Sequence, residues 1–297
     1  MTNDGRPIVT VLGSLHYDIT VVAPDRPRKG ETLVGQSWRP KCGGKGGNQA
    51  VAAARAGARV AMVSAVGDDL FGSILLANLD RSGVDRRFVR VESGLGSGMS
   101  VAIFDREGDY GAIIVSGANL ALSDSDVIAA HELLLDTAVL VLQNEVPEAA
   151  NAAAARAVRD AGGIVLLNAA PARAMPEELV AAVDILIVNA IEAEMLGSGQ
   201  VVNSLEDAMT ASQHLLGLCA AVIVTAGKDG VAFANQAGDR VSLPAEEVFV
   251  ASTHGAGDAF VGTLAAALAR GEGIEGALQA ANRAAALLVA TPEADRI

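Results

Sequence analysis

The chain predicts an α/β fold with a mostly parallel sheet and a small β-sheet lid, on three observations. Short β-branched runs alternate with alanine-rich segments. The runs are apolar at every position rather than at every second one. Two stretches break the alternation and carry neither pattern. Strands of a parallel sheet are covered on both faces and need no polar side, which explains the second observation. The alternation itself is the βαβ rhythm of right-handed crossovers.

Taken in order, the runs IVTVLG (8–13), RVAMVSAVG (59–67), AVLVLQNE (138–145), GIVLLN (163–168), VDILIVN (183–189) and AVIVTAG (221–227) predict buried strands. Between them, GNQAVAAARAG (47–57), DLFGSILLANLDRSG (69–83), PEAANAAAARAVRDAG (147–162) and LEDAMTASQHLLGLC (205–219) predict helices. Pro147 and Pro176 suit first-turn positions, and Gly83 and Gly162 suit helix ends. Residues 14–42, with three prolines and no helix pattern, predict extended lid segments. Residues 95–116 predict a hairpin turning near Glu107–Asp109. These two segments are expected to form a lid over the sheet's carboxyl edge, where α/β proteins bind ligands. The whole chain, 1–297, reads as one domain without repeats or linkers.

Charge and composition exclude some partners. Lys and Arg number 22 against 35 acids, a net charge of −13. Nucleic-acid surfaces need a basic stripe, so no nucleic-acid partner is expected. No apolar run is long enough for a membrane span, and the first residues lack the order of a signal peptide. Cys42 and Cys219 have no metal-type spacing and are expected to be reduced, in a cytoplasmic protein.

Four polar or glycine-rich stretches carry candidate chemistry. In STHGAGDAFVGTL (252–264), Gly255, Ala256 and Gly257 put nearly bare backbone in front of Asp258 at a predicted helix start. Unpaired N–H groups and the helix dipole make such a turn an anion site, and the aspartate could accept a proton from a hydroxyl. The plainer reading is a tight loop with an acid in the first helical turn. CGGKGGNQAVAAARAG (42–57) presents Lys45, Asn48 and Gln49 on a second such turn, which is neither a Walker A loop nor a GxGxxG. Asn189 and Glu192, three apart after a strand, could hold a hydrated magnesium ion, or serve as helix cap and first-turn acid. Thr225, Gly227, Lys228 and Gly230 could cradle phosphates or form a plain strand-turn-strand.

The order of motifs resembles the PfkB carbohydrate kinase family, in its ribokinase-like group, from about Ile8 to about Ala290. It rests on GGKGGNQA (43–50), GDD (67–69), SGAN (116–119), NAAPAR (168–173), NAIEAE (189–194), TAGKDG (225–230) and GAGD (255–258). Each is weak alone; together and in order they are specific. The resemblance implies a ribokinase-like three-layer α/β/α core with a β-sheet lid, and a homodimer joined through the lids. It implies transfer of a phosphoryl group from ATP to a sugar hydroxyl, D-ribose or a related pentose first. Asp258 would be the base, with Gly255, Ala256 and Gly257 as anion hole. The sugar pattern falls on His16, Asp18, Gly44, Lys45, Asn48 and Glu145. The nucleotide pattern falls on Asn189, Thr225, Gly227, Gly230 and Asn282, and Asn189 with Glu192 would lie near Mg²⁺ through water. A nucleoside kinase, or a sugar- or nucleotide-binding protein without catalysis, is the alternative.

Three positions depart from the family pattern. His16 replaces the usual Asn and bears on which sugar is chosen; its plainer role is a partly exposed histidine near the lid hinge. Ser252 stands at an Asp that helps form a monovalent-cation site in the family. Arg283 interrupts a small-residue helix. With the chain ending at Ile297, before the family's Gly-Ala segment, K⁺ activation is expected to be weak or absent and adenine loosely held.

Overall fold

The computed structural model describes residues 5–107, 109–293 and 296. The chain begins with β1 (Ile8–Leu12) in the core, then leaves it for the lid strands β2 (His16–Val22) and β3 (Ser37–Gly43). It returns through α1 (Lys45–Arg55), β4 (Arg59–Gly67), α2 (Leu70–Arg81) and β5 (Asp85–Glu92). The lid is completed by β6 (Gly98–Phe104) and β7 (Tyr110–Val115). The short helices α3 (Asp124–Ala129) and α4 (His131–Leu135) lead to β8 (Thr137–Gln143). Then follow α5 (Glu148–Asp160), β9 (Ile164–Asn168), α6 (Glu177–Val180), β10 (Ile185–Asn189), α7 (Ala190–Met195), α8 (Leu205–His214) and β11 (Ala221–Thr225). The hairpin β12 (Val231–Asn235) and β13 (Arg240–Leu243) precedes α9 (Ala256–Ala269) and α10 (Ile274–Ala290).

The core sheet has nine strands in the order β13-β12-β11-β10-β9-β8-β1-β4-β5, parallel except for β12 and β13. Successive strand residues face opposite layers. Val139 and Val141 pack with Ala50, Phe260, Leu264 and Leu278 on one side. Leu140 and Leu142 pack with Ala154, Val158 and Leu179 on the other. Both faces are therefore dry, which is why the strands read as continuous apolar runs. The three-layer α/β/α arrangement follows, with α1, α2, α9 and α10 on one face. From β1 the chain order runs outward in both directions, to β4 and to β8, so the carboxyl ends of β1 and β8 flank the switch-point crevice.

The lid is a four-stranded sheet in the order β3-β2-β6-β7. The expected 95–116 hairpin forms, closed by Asp105 accepting from the backbone N–H groups of Glu107 (3.1 Å) and Asp109 (2.9 Å); Gly108, in the expected turn, lies outside the described residues. Two anchors hold the hinges. Asn119 bonds both the N–H and the C=O of Leu15 at 2.9 Å. Asp69, the N-cap of α2, accepts from the N–H of Ser97 at 2.7 Å and from its hydroxyl.

Several expected boundaries move. The helix expected over 205–219 ends at His214 and continues as one 3₁₀ turn over Leu215–Gly217. Pro147 and Pro176 sit one residue before their helices, as caps rather than first-turn residues. Gly83 and Gly162 do follow helix ends, with φ of 72° and 87°. The 222–233 stretch is strand-turn-strand, with β11 and β12 antiparallel.

Candidate active site

The site is assembled where β1 and β8 leave the sheet. After β1 the chain passes against the start of α1, and glycines let the two backbones meet. A Cβ on Gly46 would lie 2.6 Å from the Ser14 nitrogen, and one on Gly44 would lie 2.7 Å from the His16 nitrogen. Gly44 also has φ 82° and ψ 137°, a conformation nearly restricted to glycine. A Cβ on Gly43 would overlap the carboxylate of Asp18. The GGKG glycines thus serve close approach, of backbone to backbone and of a lid carboxylate to the core.

Glu145, just beyond β8, lays its carboxylate at the N-terminus of α1. It accepts from the Lys45 N–H at 3.0 Å and from the Ser14 hydroxyl, and lies 3.9 Å from His16 Nδ1. The helix dipole favours an anion there. His16 is not partly exposed, as its hinge position suggested. It is 4% exposed, pressed against Gly98 and Asn119, because Gly98 has no Cβ to exclude the ring. Among the described residues its Nε2 has no partner. Asp18 projects from the lid and accepts from the Ser100 hydroxyl. Burial pushes its carboxyl above the usual range, opposed by the Ser100 bond and by His16, His254 and Lys41.

Asp258 lies in the first turn of α9, behind Gly255 with φ 80°. Its two oxygens are gripped from α1: Asn48 Nδ2 donates to Oδ2 and Gln49 Nε2 to Oδ1, each at 2.9 Å. Burial raises its pKa; the Lys45 charge and the two amide bonds oppose this, and Glu145 adds to it. A Cβ on Gly257 would meet no atom within 4 Å, so packing does not require that glycine. The Ala256 N–H closes a turn on the Thr253 carbonyl at 3.3 Å.

Gln49 is the residue whose role sequence reasoning missed. It is fully buried, and its Nε2 also reaches Asn168 Oδ1 (3.0 Å) while its Oε1 accepts from Gln143 Nε2 (2.8 Å). An amide chain thus runs from the sheet ends to Asp258. The motif named Gln49 as polar, but only the packing of α1 against α9 distinguishes its inward face from that of Asn48.

On the other flank, Asn189 and Thr225 are paired across β10 and β11. Asn189 and Glu192 form a capping box: Asn189 Oδ1 accepts from the Glu192 N–H (2.8 Å), and Glu192 Oε2 from the Asn189 N–H (2.9 Å). Burial raises the pKa of Glu192; Asp258 adds to that, and the Asn189 bond and the Lys45 charge oppose it. Gly227 has φ 57° and opens the turn after β11. Gly230 and Asn282 converge on another element: a Cβ on Gly230 would overlap the Leu243 carbonyl, and Asn282 Nδ2 donates to Pro244 O at 2.8 Å. Both fasten the chain beyond β13. Arg283, next to Asn282, pairs with Glu246 at 3.2 Å. A cavity of about 770 Å³ borders Asp258, Asn48, Gly255, Lys41, His254 and Arg296.

The geometry suits hydroxyl chemistry: a carboxylate held by two amide donors in the first turn of a helix that starts after glycine. The chain matches the pfkB family carbohydrate kinase model over residues 7–296, and it belongs to that family of phosphotransferases. It is 36% identical to the ribokinase of Bacillus subtilis over 282 residues, covering 95% of this chain and 92% of that protein. It is 33% identical to a deoxyribokinase of Salmonella typhimurium over 276 residues, covering 92% and 89%. Among solved structures, Arabidopsis thaliana ribokinase complexed with ribose and ATP superimposes with a TM-score of 0.89 at 29% identity, covering 96% and 93%. Thermotoga maritima ribokinase gives 0.86 at 29% identity, covering 96% and 93%.

Proposed function

We propose that this protein transfers the γ-phosphoryl group of ATP to a hydroxyl of D-ribose or a closely related pentose. The observation that carries the reading is the grip of α1 on Asp258. The helix that begins at the sugar-binding motif also orients the carboxylate that would take the hydroxyl proton. Sugar and base are then positioned by one rigid element, which is what proximity catalysis needs.

In this reading Asp18, Lys45, Asn48 and Glu145 bind the sugar hydroxyls, with carboxylates accepting, lysine donating and the amide doing both. Gly44 lets the backbone approach, and His16 shapes the wall beside Glu145. Asp258 accepts the hydroxyl proton as the oxygen attacks. Gly255 and Gly257 offer N–H groups to the charge on the transferring group, where one donor is typically worth about 10²–10³ in rate; the Ala256 N–H, expected to join them, is spent on Thr253 O. Thr225 and Gly227 line the nucleotide side, with Gly230 and Asn282 shaping it through Pro244. A magnesium ion held through its waters would fall to Asn189 and Glu192: burial and the Asp258 charge both raise the Glu192 pKa, which a cation would relieve. When bound, the ion would neutralise phosphate charge.

Potassium activation is proposed to be weak, since the Ser252 hydroxyl is already engaged with Glu293 Oε1 at 2.6 Å. A lid-joined homodimer is supported by an apolar lid face. Ile19, Val21, Trp38, Pro40, Val101 and Ile113 share one side, with Trp38 65% and Ile113 71% exposed. A cytoplasmic location suits two free cysteines and the lack, among the described residues, of a helix able to cross a membrane.

The test is ADP release from Mg-ATP with D-ribose, 2-deoxyribose, other pentoses, hexoses and nucleosides, beside Asp258→Ala. Pentose-dependent turnover lost in the variant is expected. Turnover no higher than the variant's with every acceptor overturns the kinase reading in favour of a binding protein; preference for nucleosides overturns the pentose assignment.

A further inference from the structure

Resting on the phosphoryl-transfer reading above, we propose that Arg296 is a positioning residue: a cation built into the chain that holds the 252–255 turn and directs the Gly255 N–H into the anion hole. All three guanidinium nitrogens donate to backbone carbonyls. Nη1 reaches His254 O at 2.6 Å, Nη2 reaches Ser252 O at 2.7 Å, and Nε reaches Thr291 O at 2.9 Å. The same turn is tied to the end of α10 by the Ala251 and Ser252 N–H groups, which share Val289 O at 2.9 and 3.2 Å. Glu293 closes the arrangement: it accepts from the Ser252 hydroxyl, and its carboxyl is held low by that bond and by the charges of His254, Lys41 and Arg296, against the opposing effect of burial. Arg296 borders the same cavity as Asp258 and Asn48.

Three carbonyl oxygens converging on one point repel one another and would oppose negative charge nearby. A guanidinium fork satisfies three such acceptors from one planar group, which a lysine cannot. The link to catalysis is the peptide between His254 and Gly255. It is planar and trans, so its C=O and N–H point in opposite directions. Anchoring His254 O therefore sets the direction of the Gly255 N–H, and donation to the carbonyl polarises the peptide and strengthens that N–H as a donor. The positive charge also lies on the side from which developing phosphoryl charge is stabilised.

The proposal makes the wild-type enzyme indifferent to monovalent cations and its arginine-less variant responsive to them. Arg296→Ala leaves three carbonyls around a vacated space that a free guanidinium, ammonium or potassium ion can enter. The experiment measures kcat and KM for wild type, Arg296→Ala and Arg296→Lys, with potassium, ammonium, guanidinium or tetramethylammonium chloride at constant ionic strength. Wild type should turn over equally in all four salts. Arg296→Ala should lose about tenfold in kcat, less than the ~10²–10³ of a direct anion-hole donor, with the sugar KM little changed. Millimolar guanidinium, ammonium or potassium, but not tetramethylammonium, should restore part of it. Arg296→Lys, the milder change, should lose less and respond less, and it carries the test if the alanine variant folds poorly.

Thermal melting supplies a readout that does not need turnover. The rescuing ions should raise the melting temperature of Arg296→Ala and leave wild type unmoved, since a ligand of the native state stabilises it. The proposal is overturned if wild type requires potassium, if Arg296→Ala keeps wild-type kcat, or if its loss is rescued by no cation. Wild type inactive on every acceptor would sink the kinase reading instead, and the melting arm would still decide whether Arg296 fills a cation site.

Discussion

Replacing Gln49 by leucine tests the link between the buried amide chain and the base. The substitution keeps an apolar side chain of similar reach and removes every polar atom that touches Asp258 from this position. Three contacts go: to Asp258 Oδ1 at 2.9 Å, to Asn168 Oδ1 at 3.0 Å and from Gln143 Nε2 at 2.8 Å. A hydrogen bond to a charged group is worth about 1.5–3 kcal/mol, and a buried group left without a partner costs about 1–3 kcal/mol. Since such losses do not add fully, the variant should be less stable by about 2–5 kcal/mol. The larger point is the pKa. Burial already holds Asp258 above the usual carboxylate range, and the Gln49 bond is one of the influences pulling it back. Removing a donor that favours the ionised form raises the pKa further. The bond's worth corresponds to about 1–2 pH units at 1.36 kcal/mol per unit, and Asn48 with entering water should reduce that to about one.

Only ionised Asp258 can act as base, so the acid limb of kcat/KM should move to higher pH by about one unit, because that profile reports groups of the free enzyme. The assay is ADP release across the acid limb for wild type and Gln49→Leu, with melting curves to establish that both are folded at each pH. A folded variant whose acid limb coincides with that of wild type would refute the reasoning: Gln49 would then be a packing residue with no hold on the base.

Other outcomes follow from the same geometry. Asp258→Asn should cut kcat by about 10²–10⁴ and change the pH dependence of melting. The raised native pKa means the folded state binds the proton more tightly than the unfolded state. Ionised Asp258 therefore costs stability as pH rises through the unfolded and then the folded pKa. The amide does not titrate, although its NH2 group opposes one of the two donors that held the carboxylate, so the variant's melting temperature should fall less than that of wild type between acid and neutral pH; an equal fall would contradict this. Gly47→Ala should stay within about 1 kcal/mol of wild type, because the helix-propensity gain offsets moving the flexible tip of Leu15, 2.8 Å from the new Cβ. Gly44→Ala should lose at least about 1–3 kcal/mol from backbone strain alone, with the Ser14 and His16 backbone in the way; denaturant midpoints compare the two. Trp38→Asp should convert a dimer to a monomer in sedimentation with the core fold intact, and a monomeric wild type would remove the lid interface.

The core was legible because its strands are wet on neither face, so composition alone marked them. β5 was not: its sequence DRRFVRVE alternates and carries Arg87, Arg90 and Glu92, as an edge strand with one neighbour permits. β13 closes an antiparallel edge where no crossover helix announces it, and β12 was legible only as one of two readings of the turn after Thr225. The site showed the same division. Asp258 and its glycines stood out because bare backbone before a helix has few other uses. His16 looked like a hinge residue at the surface, since nothing in the sequence told that Gly98 would leave room for its ring. Asn189 and Glu192 form the capping box of their plainer reading, and their spacing alone could not separate that role from a metal-binding one. Arg296 belongs to no motif at all; it matters only because the end of α10 lies against the 252–255 turn.

The two glycine-rich helix starts look alike in sequence and are chemically opposite in the fold, and this difference supports the proposed placing of the substrates. At α1 the positive end of the helix is occupied by the protein's own anion, because Glu145 accepts from the Lys45 N–H and from Ser14. A phosphate arriving there would meet a carboxylate, so that end suits neutral hydroxyls, which can be both donor and acceptor to Glu145 and Asn48. At α9 no side chain caps the helix, and the position of a Cβ on Gly257 opens into free space. The N–H groups that follow Ala256, whose own N–H turns onto Thr253 O, are therefore left for an incoming anion. With a net charge of −13, the chain has no general field to attract a polyphosphate, so attraction must come from such local dipoles. Asp258 stands at the boundary, on the open helix but held by side chains of the closed one. A neutral acceptor on one side and an anionic donor on the other can then meet only at its carboxylate.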